Sequence, residues 1–273
     1  MIDNIDFGEL YRQHVALAQR QPKPPSAWDE RAAAMADSCA DPDNPYVQAF
    51  IAKMDLSDAH SLLDVGCGPA TISLPLAKQF EAVYGLDYSP GMLAVAADRA
   101  QKMGVTNFHP IQKSWEDDWA DVPECDIVVA SRSTMCLDMA AAINQLNQKA
   151  KKRVYTTHTV DQHFLDPHIV ACIGRDAVGF PNYIYTVNLL AQMGYLPKVD
   201  YIQTPFSPQK ASELADFIRS VSWSVGPLTA AEEQKLTDYF YHDYPNIALT
   251  NTRTWAFVSW DVRPGQALLP NPQ

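Results

Sequence analysis

The stretch SLLDVGCGPATISLPLA, residues 61–77, is a short apolar run that breaks at two glycines, Gly66 and Gly68, and resumes as a small-residue helical pattern. A strand turning sharply into a helix has this form. Glycine at the turn lets a ligand approach the main chain where a side chain would block it. The turn then lies outside the carboxyl end of the strand, where open α/β sheets bind ligands. Several classes of adenosine-containing ligand use such turns, so the surrounding sequence has to separate them.

Beyond residue 61 the pattern alternates. AVYGLD (82–87), VTNFHPI (105–111), CDIVVAS (125–131) and RVYTTHTV (153–160) read as strands. ATISLPLAKQF (70–80), SPGMLAVAADRAQKMG (89–104) and DMAAAINQLNQKA (138–150) read as helices, with Ser89 as an N-cap, Pro90 in the first turn and Asp138 near a start. Strands that are continuous apolar runs between helices mark a parallel sheet covered on both faces. NYIYTVNLLAQMGY (182–195) reads as a helix, PKVDYIQTPF (197–206) as a strand, 208–245 as two further helices, and RTWAFVSWDV (253–262) as a patterned final strand. Residues 1–60, broken by QPKPPS and DPDNPY, read as a helical N-terminal extension or lid, and 264–273 as a tail.

The chain has 273 residues, 47% of them hydrophobic, enough for a substantial core. Its apolar runs stop short of the roughly 20 residues a bilayer crossing needs, and its first residues lack a signal-peptide pattern, so no membrane association and a cytoplasmic location are expected. The five cysteines are scattered without a CxxC pair, which fits reduced thiols and no zinc knuckle. A net charge of -11 opposes polyphosphate, so nucleic acid is not expected as a partner. The basic cluster KAKKR (149–153) reads most simply as a helix end. Nothing in the sequence fixes an oligomeric state.

The turn itself discriminates between ligands. A dinucleotide fingerprint, G-x-G-x-x-G, would need glycine where Thr71 stands. Instead Asp64 precedes the first glycine by two residues, giving D-x-G-x-G-x-A. The next strand ends in Asp87, about 20 residues past the glycines, a carboxylate placed for ribose hydroxyls. The D-x-G-x-G-x-A turn resembles the first motif of class I S-adenosylmethionine-dependent methyltransferases of the small-molecule type, with Ala70 in place of the third glycine. VYGLDYSPGML (83–93) resembles the family's second-strand motif, IQKSWEDDW (111–119) the stretch that meets the adenine edge, DIVVAS the fourth strand, and WDERA (28–32) an N-terminal helix that caps the cofactor.

The resemblance, over about residues 26–160, implies a Rossmann-like, doubly wound, mostly parallel seven-stranded α/β sheet with helices on both faces. The methyltransferase domain would span 61–263, with the last strand antiparallel and substrate-cover insertions at 161–195 and 207–248. It also implies S-adenosyl-L-methionine as cofactor, with Asp64, Gly66, Cys67, Gly68, Asp87, Tyr88, Met92, Ser114, Trp115, Ser131 and Trp28 as cofactor-binding residues. Ser114 stands where the family usually has an acid. Cys67 reads as a small apolar filler within the turn rather than a nucleophile.

Methyl transfer from a sulfonium is an in-line displacement in which the protein mainly aligns the acceptor and excludes water. Arg132, after strand four, is a candidate partner for a substrate carboxylate or phosphate. His158, His163 and His168 follow one another at intervals of five, a spacing that fits neither one helix face nor one strand face. No metal site is expected there, and His158 and His163 stand as candidate base or substrate contacts. Tyr183 and Tyr185 are placed near the same pocket. A small-molecule acceptor is the expected partner. The rival readings are an NAD(P)-dependent oxidoreductase and a non-catalytic protein that binds the cofactor as a sensor.

Overall fold

The computed structural model describes residues 2–18, 22–39, 41, 43–161, 165, 167–175, 178–205, 213–244 and 252–262. Its strands are β1 (Ser61–Val65), β2 (Ala82–Asp87), β3 (Phe108–Gln112), β4 (Cys125–Ala130), β5 (Ala150–Thr159), β6 (Lys198–Pro205) and β7 (Thr252–Asp261). Its α-helices are α1 (Phe7–Leu17), α2 (Pro25–Asp29), α3 (Ala32–Cys39), α4 (Pro45–Ala52), α5 (Ser73–Leu76), α6 (Pro90–Lys102), α7 (Met139–Lys149), α8 (Pro167–Ile173), α9 (Tyr183–Gln192), α10 (Leu214–Val225) and α11 (Ala230–His242).

The strands form one seven-stranded sheet in the order β3-β2-β1-β4-β5-β7-β6. β1 through β5 are parallel, and β7 lies antiparallel between β5 and β6. Chain direction across the sheet reverses between β1 and β4, which opens a crevice at their carboxyl ends. The apolar run of β1 follows from being covered twice. Leu63 and Val65 belong to a core with α1, α7 and α9 on one face, while Leu62 joins Tyr46, Val47, Phe50, Ile72, Leu76 and Ala96 on the other. A third apolar cluster, built around Ile173, Phe217, Val221, Leu236 and Tyr239, joins α8, α10 and α11 away from the sheet. No helix among the described residues is long and apolar enough to cross a membrane.

Several boundaries differ from the sequence reading. The helix after the glycine turn starts only at Ser73, because Ala70 sits at φ 58 and Pro69 precedes it, and a 3-10 turn takes over at Ala77. KAKKR does not end a helix: only Lys149 does. Ala150 already starts β5, where Arg153 donates to the carbonyls of Asp55 and Ser57. The stretch 161–195 is not all substrate cover, since Leu189 and Leu190 of α9 are buried against the sheet face that α1 and α7 also cover. The N-terminal 60 residues likewise supply core helices, α1 to one face and α4 to the other.

Candidate active site

Strand register lines up the ends of three strands. Val65 pairs with Leu86, and Asp64 pairs with Val129, so Gly66, Asp87 and Ser131 follow side by side at the carboxyl edge. Gly66 N and Cys67 N both donate to Leu86 O, at 2.7 and 3.0 Å. Gly68 N donates to Asp87 Oδ2 at 2.8 Å, Ala70 N to Cys67 O at 2.9 Å, and Pro69 has no N–H to give. The turn is therefore stitched to β2 through its own amides.

Its two glycines do different work. Gly66 is left-handed (φ 65), and a Cβ there would stand 2.3 Å from Ser133 Cβ. Gly68 is also left-handed (φ 53), but a Cβ there would meet only Met92 Sδ, at 3.9 Å. Space therefore opens in front of Gly68, with the buried Met92 beneath it.

Two buried carboxylates flank this space. Asp87 Oδ1 accepts from Ser89 N at 2.9 Å and Oδ2 from Gly68 N, so each oxygen keeps acceptor capacity. Burial raises the Asp87 pKa against those amide bonds. Asp64 is wholly buried, and this pushes its pKa up to about 7, with Ser73 pulling the other way. Among the described residues Asp64 Oδ2 has no hydrogen-bond partner. An orphaned carboxylate oxygen beside an open turn is what a ligand donor or cation would satisfy.

The N-terminal segment docks next to the turn. Asp29, at the end of α2, accepts from Ser89 Oγ at 2.6 Å and Gly91 N at 2.7 Å, clamping the start of α6. Gly91 permits this, since a Cβ there would lie 2.7 Å from Asp29 Oδ1. Tyr88 donates from its hydroxyl to Lys23 O at 3.0 Å. Trp28 meets Trp223 of α10 edge-on at 5.2 Å, and Trp223 in turn lies under Lys23 and Arg31. Asp29→Ala is expected to cost about 1–3 kcal/mol, the scale of hydrogen bonds to a charged group. Faster limited proteolysis within residues 22–39 is the measurement that checks the docking.

The remaining expected cofactor contacts fall into two groups. Trp115 is half-buried, stacks on Trp119 at 5.4 Å and donates from Nε1 to Ser133 O at 3.0 Å, fixing the loop after β4. Ser131 Oγ lies 2.8 Å from Tyr46 Oη. Ser114 serves its own turn, donating from N to Asp117 and accepting from Glu116 N at Oγ. The Cys67 thiol is buried and held well above its ordinary pKa by desolvation, as a small apolar filler within the turn would be.

On the acceptor side, Arg132 takes a left-handed conformation (φ 57), and its N donates to Thr157 Oγ1 at 2.9 Å. Its guanidinium is exposed and stands 4.2 Å above the ring of Tyr46. The Tyr46 hydroxyl is 2.7 Å from Thr157 Oγ1, and burial raises its pKa. Sequence reasoning missed Tyr46 and Asp29. Asn44 and Pro45 announced the start of α4, but nothing local showed which strands its tyrosine would meet.

His158 is corrected as a candidate base. It lies within β5 and is wholly buried, with Nε2 2.8 Å from Thr156 Oγ1 and Nδ1 3.1 and 3.3 Å from the hydroxyls of Thr134 and Thr186. Burial lowers its pKa to about 3, so it stays neutral and is occupied by threonines. His163 lies outside the described residues, and His168 is exposed on α8. Tyr185 braces α9 against α1, 2.9 Å from His14 Nδ1, and Tyr183 shares a hydrogen bond with Tyr201. No metal-binding group of histidines, cysteines or carboxylates occurs among the described residues.

The profile of the methyltransferase-domain family matches residues 62–153. An uncharacterized protein of Haemophilus influenzae is 38% identical over 263 residues, 96% of this chain and 98% of its own length. An uncharacterized RNA methyltransferase of Enterococcus faecalis is 30% identical over 152 residues, which is 54% of this chain but 31% of that protein. A solved structure from Bacillus halodurans, proposed to be a methyltransferase, superposes with a TM-score of 0.57 at 12% identity, covering 79% of this chain and 97% of that one.

Proposed function

Because the chain belongs to the class I methyltransferase family, we propose that it binds S-adenosylmethionine at the Gly66–Gly68 turn and methylates a small acceptor held beside Arg132. The observation that carries the cofactor assignment is the state of the turn. The amides of Gly66, Cys67, Gly68 and Ala70 already donate within the protein, and two buried acids adjoin them. A pyrophosphate would find neither the free N–H groups nor the positive field that hold phosphates at glycine turns. A ligand with ribose hydroxyls and a cationic amino acid end suits the same groups. The antiparallel β7 between β5 and β6 also departs from the strand order of dinucleotide domains.

The residues then divide the work. Asp87 would accept from the ribose hydroxyls, Asp64 would offer its unpaired oxygen to positive charge, and Gly68 would let the ligand lie against the backbone. S-adenosylmethionine, when bound, supplies a methyl group on a good leaving group, so the protein's task is alignment and exclusion of water. Arg132 would orient an acceptor, with Tyr46 and Thr157 holding it in place. α2, tied to α6 through Asp29 and to α10 through Trp28, would cover the cofactor half.

A small-molecule acceptor is favoured by the net charge of -11 and by the separate apolar cluster of α8, α10 and α11. The Enterococcus faecalis relative supports RNA as the second reading, over part of the chain. Transfer of tritium from labelled S-adenosylmethionine into a metabolite extract, with total RNA as the parallel arm, separates the two. A sensor would leave both unlabelled. In calorimetry S-adenosylhomocysteine is expected to bind and NADH to give no heat; the reverse result would sink the cofactor assignment. Asp87→Ala is expected to weaken S-adenosylhomocysteine by about tenfold or more, the scale of lost hydrogen bonds to a charged group.

A further inference from the structure

Resting on that reading, we propose that Arg253 and Arg132 together form a cationic acceptor subsite, and that the methyl acceptor carries a carboxylate or phosphate group. β7 runs antiparallel to β5, so its beginning projects past the carboxyl edge of the sheet, where β4 also ends. The β5 pairing stops at Thr159 opposite Trp255, and Arg253 lies two residues further out, opposite Thr204 of β6. Side chains alternate along a strand, so Arg253 and Trp255 share a face.

That face is the one Arg132 occupies. The Trp255 ring meets Tyr46 at 6.3 Å, and Tyr46 carries the Arg132 guanidinium 4.2 Å from its centroid. Arg132, from the loop after β4, and Arg253, from β7, therefore lie on the side of one aromatic pair at the mouth. Arg253 is half-buried; desolvation lowers its pKa, and the charge of Arg132 lowers it further. Asp161, just past the end of β5, opposes that shift and offsets one of the two charges. Like charges held together at a partly desolvated edge attract an anion, and guanidinium groups suit the paired oxygens of carboxylate and phosphate. A neutral acceptor would gain little from such a cluster.

Titration calorimetry on the protein saturated with S-adenosylhomocysteine tests this with three probes that share a phenyl ring: benzoate, phenyl phosphate and benzamide. At least one anion is expected to bind and benzamide to give no heat, and the anion that binds identifies the acceptor group. Arg253→Gln is expected to weaken that anion by about tenfold, the scale of a lost charge-assisted hydrogen bond, while S-adenosylhomocysteine affinity holds. Arg132→Gln, at an exposed side chain, is the second variant, and the same loss is expected. Benzamide binding as tightly as benzoate, or an anion affinity unchanged in both variants, would overturn the proposal. Failure of S-adenosylhomocysteine to bind the wild-type protein would instead count against the cofactor reading, and the anion titration could still be read on the unliganded chain.

Discussion

Gly66→Ala is expected to destabilise the protein by about 2–5 kcal/mol, combining a left-handed backbone penalty with overpacking. The methyl group would stand 2.3 Å from Ser133 Cβ, at a φ of 65°. Ser133 cannot yield readily: its hydroxyl donates to Val65 O at 2.6 Å, and its carbonyl accepts from Trp115 Nε1 at 3.0 Å. Relief would have to break the join between β1 and the loop after β4. Against a typical domain stability of about 5–15 kcal/mol, much of the margin is at stake. Denaturant unfolding measures it, and a loss below about 1 kcal/mol would mean the join is looser than these contacts require. Gly66→Ala/Ser133→Gly should recover the overpacking part and leave the backbone part. Gly68→Ala separates packing from binding, because its Cβ meets only Met92 Sδ at 3.9 Å. That variant should keep most of its stability, losing about 1 kcal/mol to backbone strain, while its methyl group obstructs the ligand.

The sequence made the cofactor half of the site more legible than the acceptor half, and the reason is chain distance. Asp64, Gly66, Gly68 and Asp87 belong to one strand-turn-helix-strand unit, so local pattern placed them beside one another, and the parallel pairing of β1 with β2 fixed the register. The final strand was visible in its alternation, and its antiparallel place follows the family resemblance. Tyr46 reaches Ser131 and Thr157 across 85 and 111 residues, and Asp29 reaches Ser89 across 60. A tyrosine on a short helix reads the same whichever strands it meets. His158 misled for another reason. Its spacing to His163 and His168 suggested a loop series, whereas alternation along β5 puts it on the same face as Val154 and Thr156, the face that packs on α7 and α9. Trp28 is read as a cofactor cap by likeness alone, and its ring contact with Trp223 is one that no local signal announces.

Asp64→Asn is expected to stabilise the unliganded protein while weakening its ligand, and pH is what separates the two effects. Burial raises this carboxyl from 3.8 in the unfolded chain to about 7 in the fold. Between those values the folded chain holds a proton that the unfolded chain has released, so this group's contribution to stability is present below pH 4 and is lost as pH rises towards 7. The shift corresponds to at most about 4 kcal/mol at pH 8. The uncharged amide should therefore raise the unfolding free energy by roughly 2–4 kcal/mol at pH 8 and change little at pH 4. Ligand binding should run the other way. If positive charge on the ligand meets ionised Asp64, wild-type affinity for S-adenosylhomocysteine should rise by about tenfold between pH 6 and pH 8, following the ionised fraction. In Asp64→Asn most of that rise should vanish. Denaturant melts at the two pH values and calorimetry across the range provide the measurements. If the Asp64→Asn protein proved less stable than wild type at pH 8, the carboxylate would have to be satisfied within the fold. The expected outcome is that a charge which opposes folding is present because the ligand requires it, as strained binding sites commonly trade stability for function.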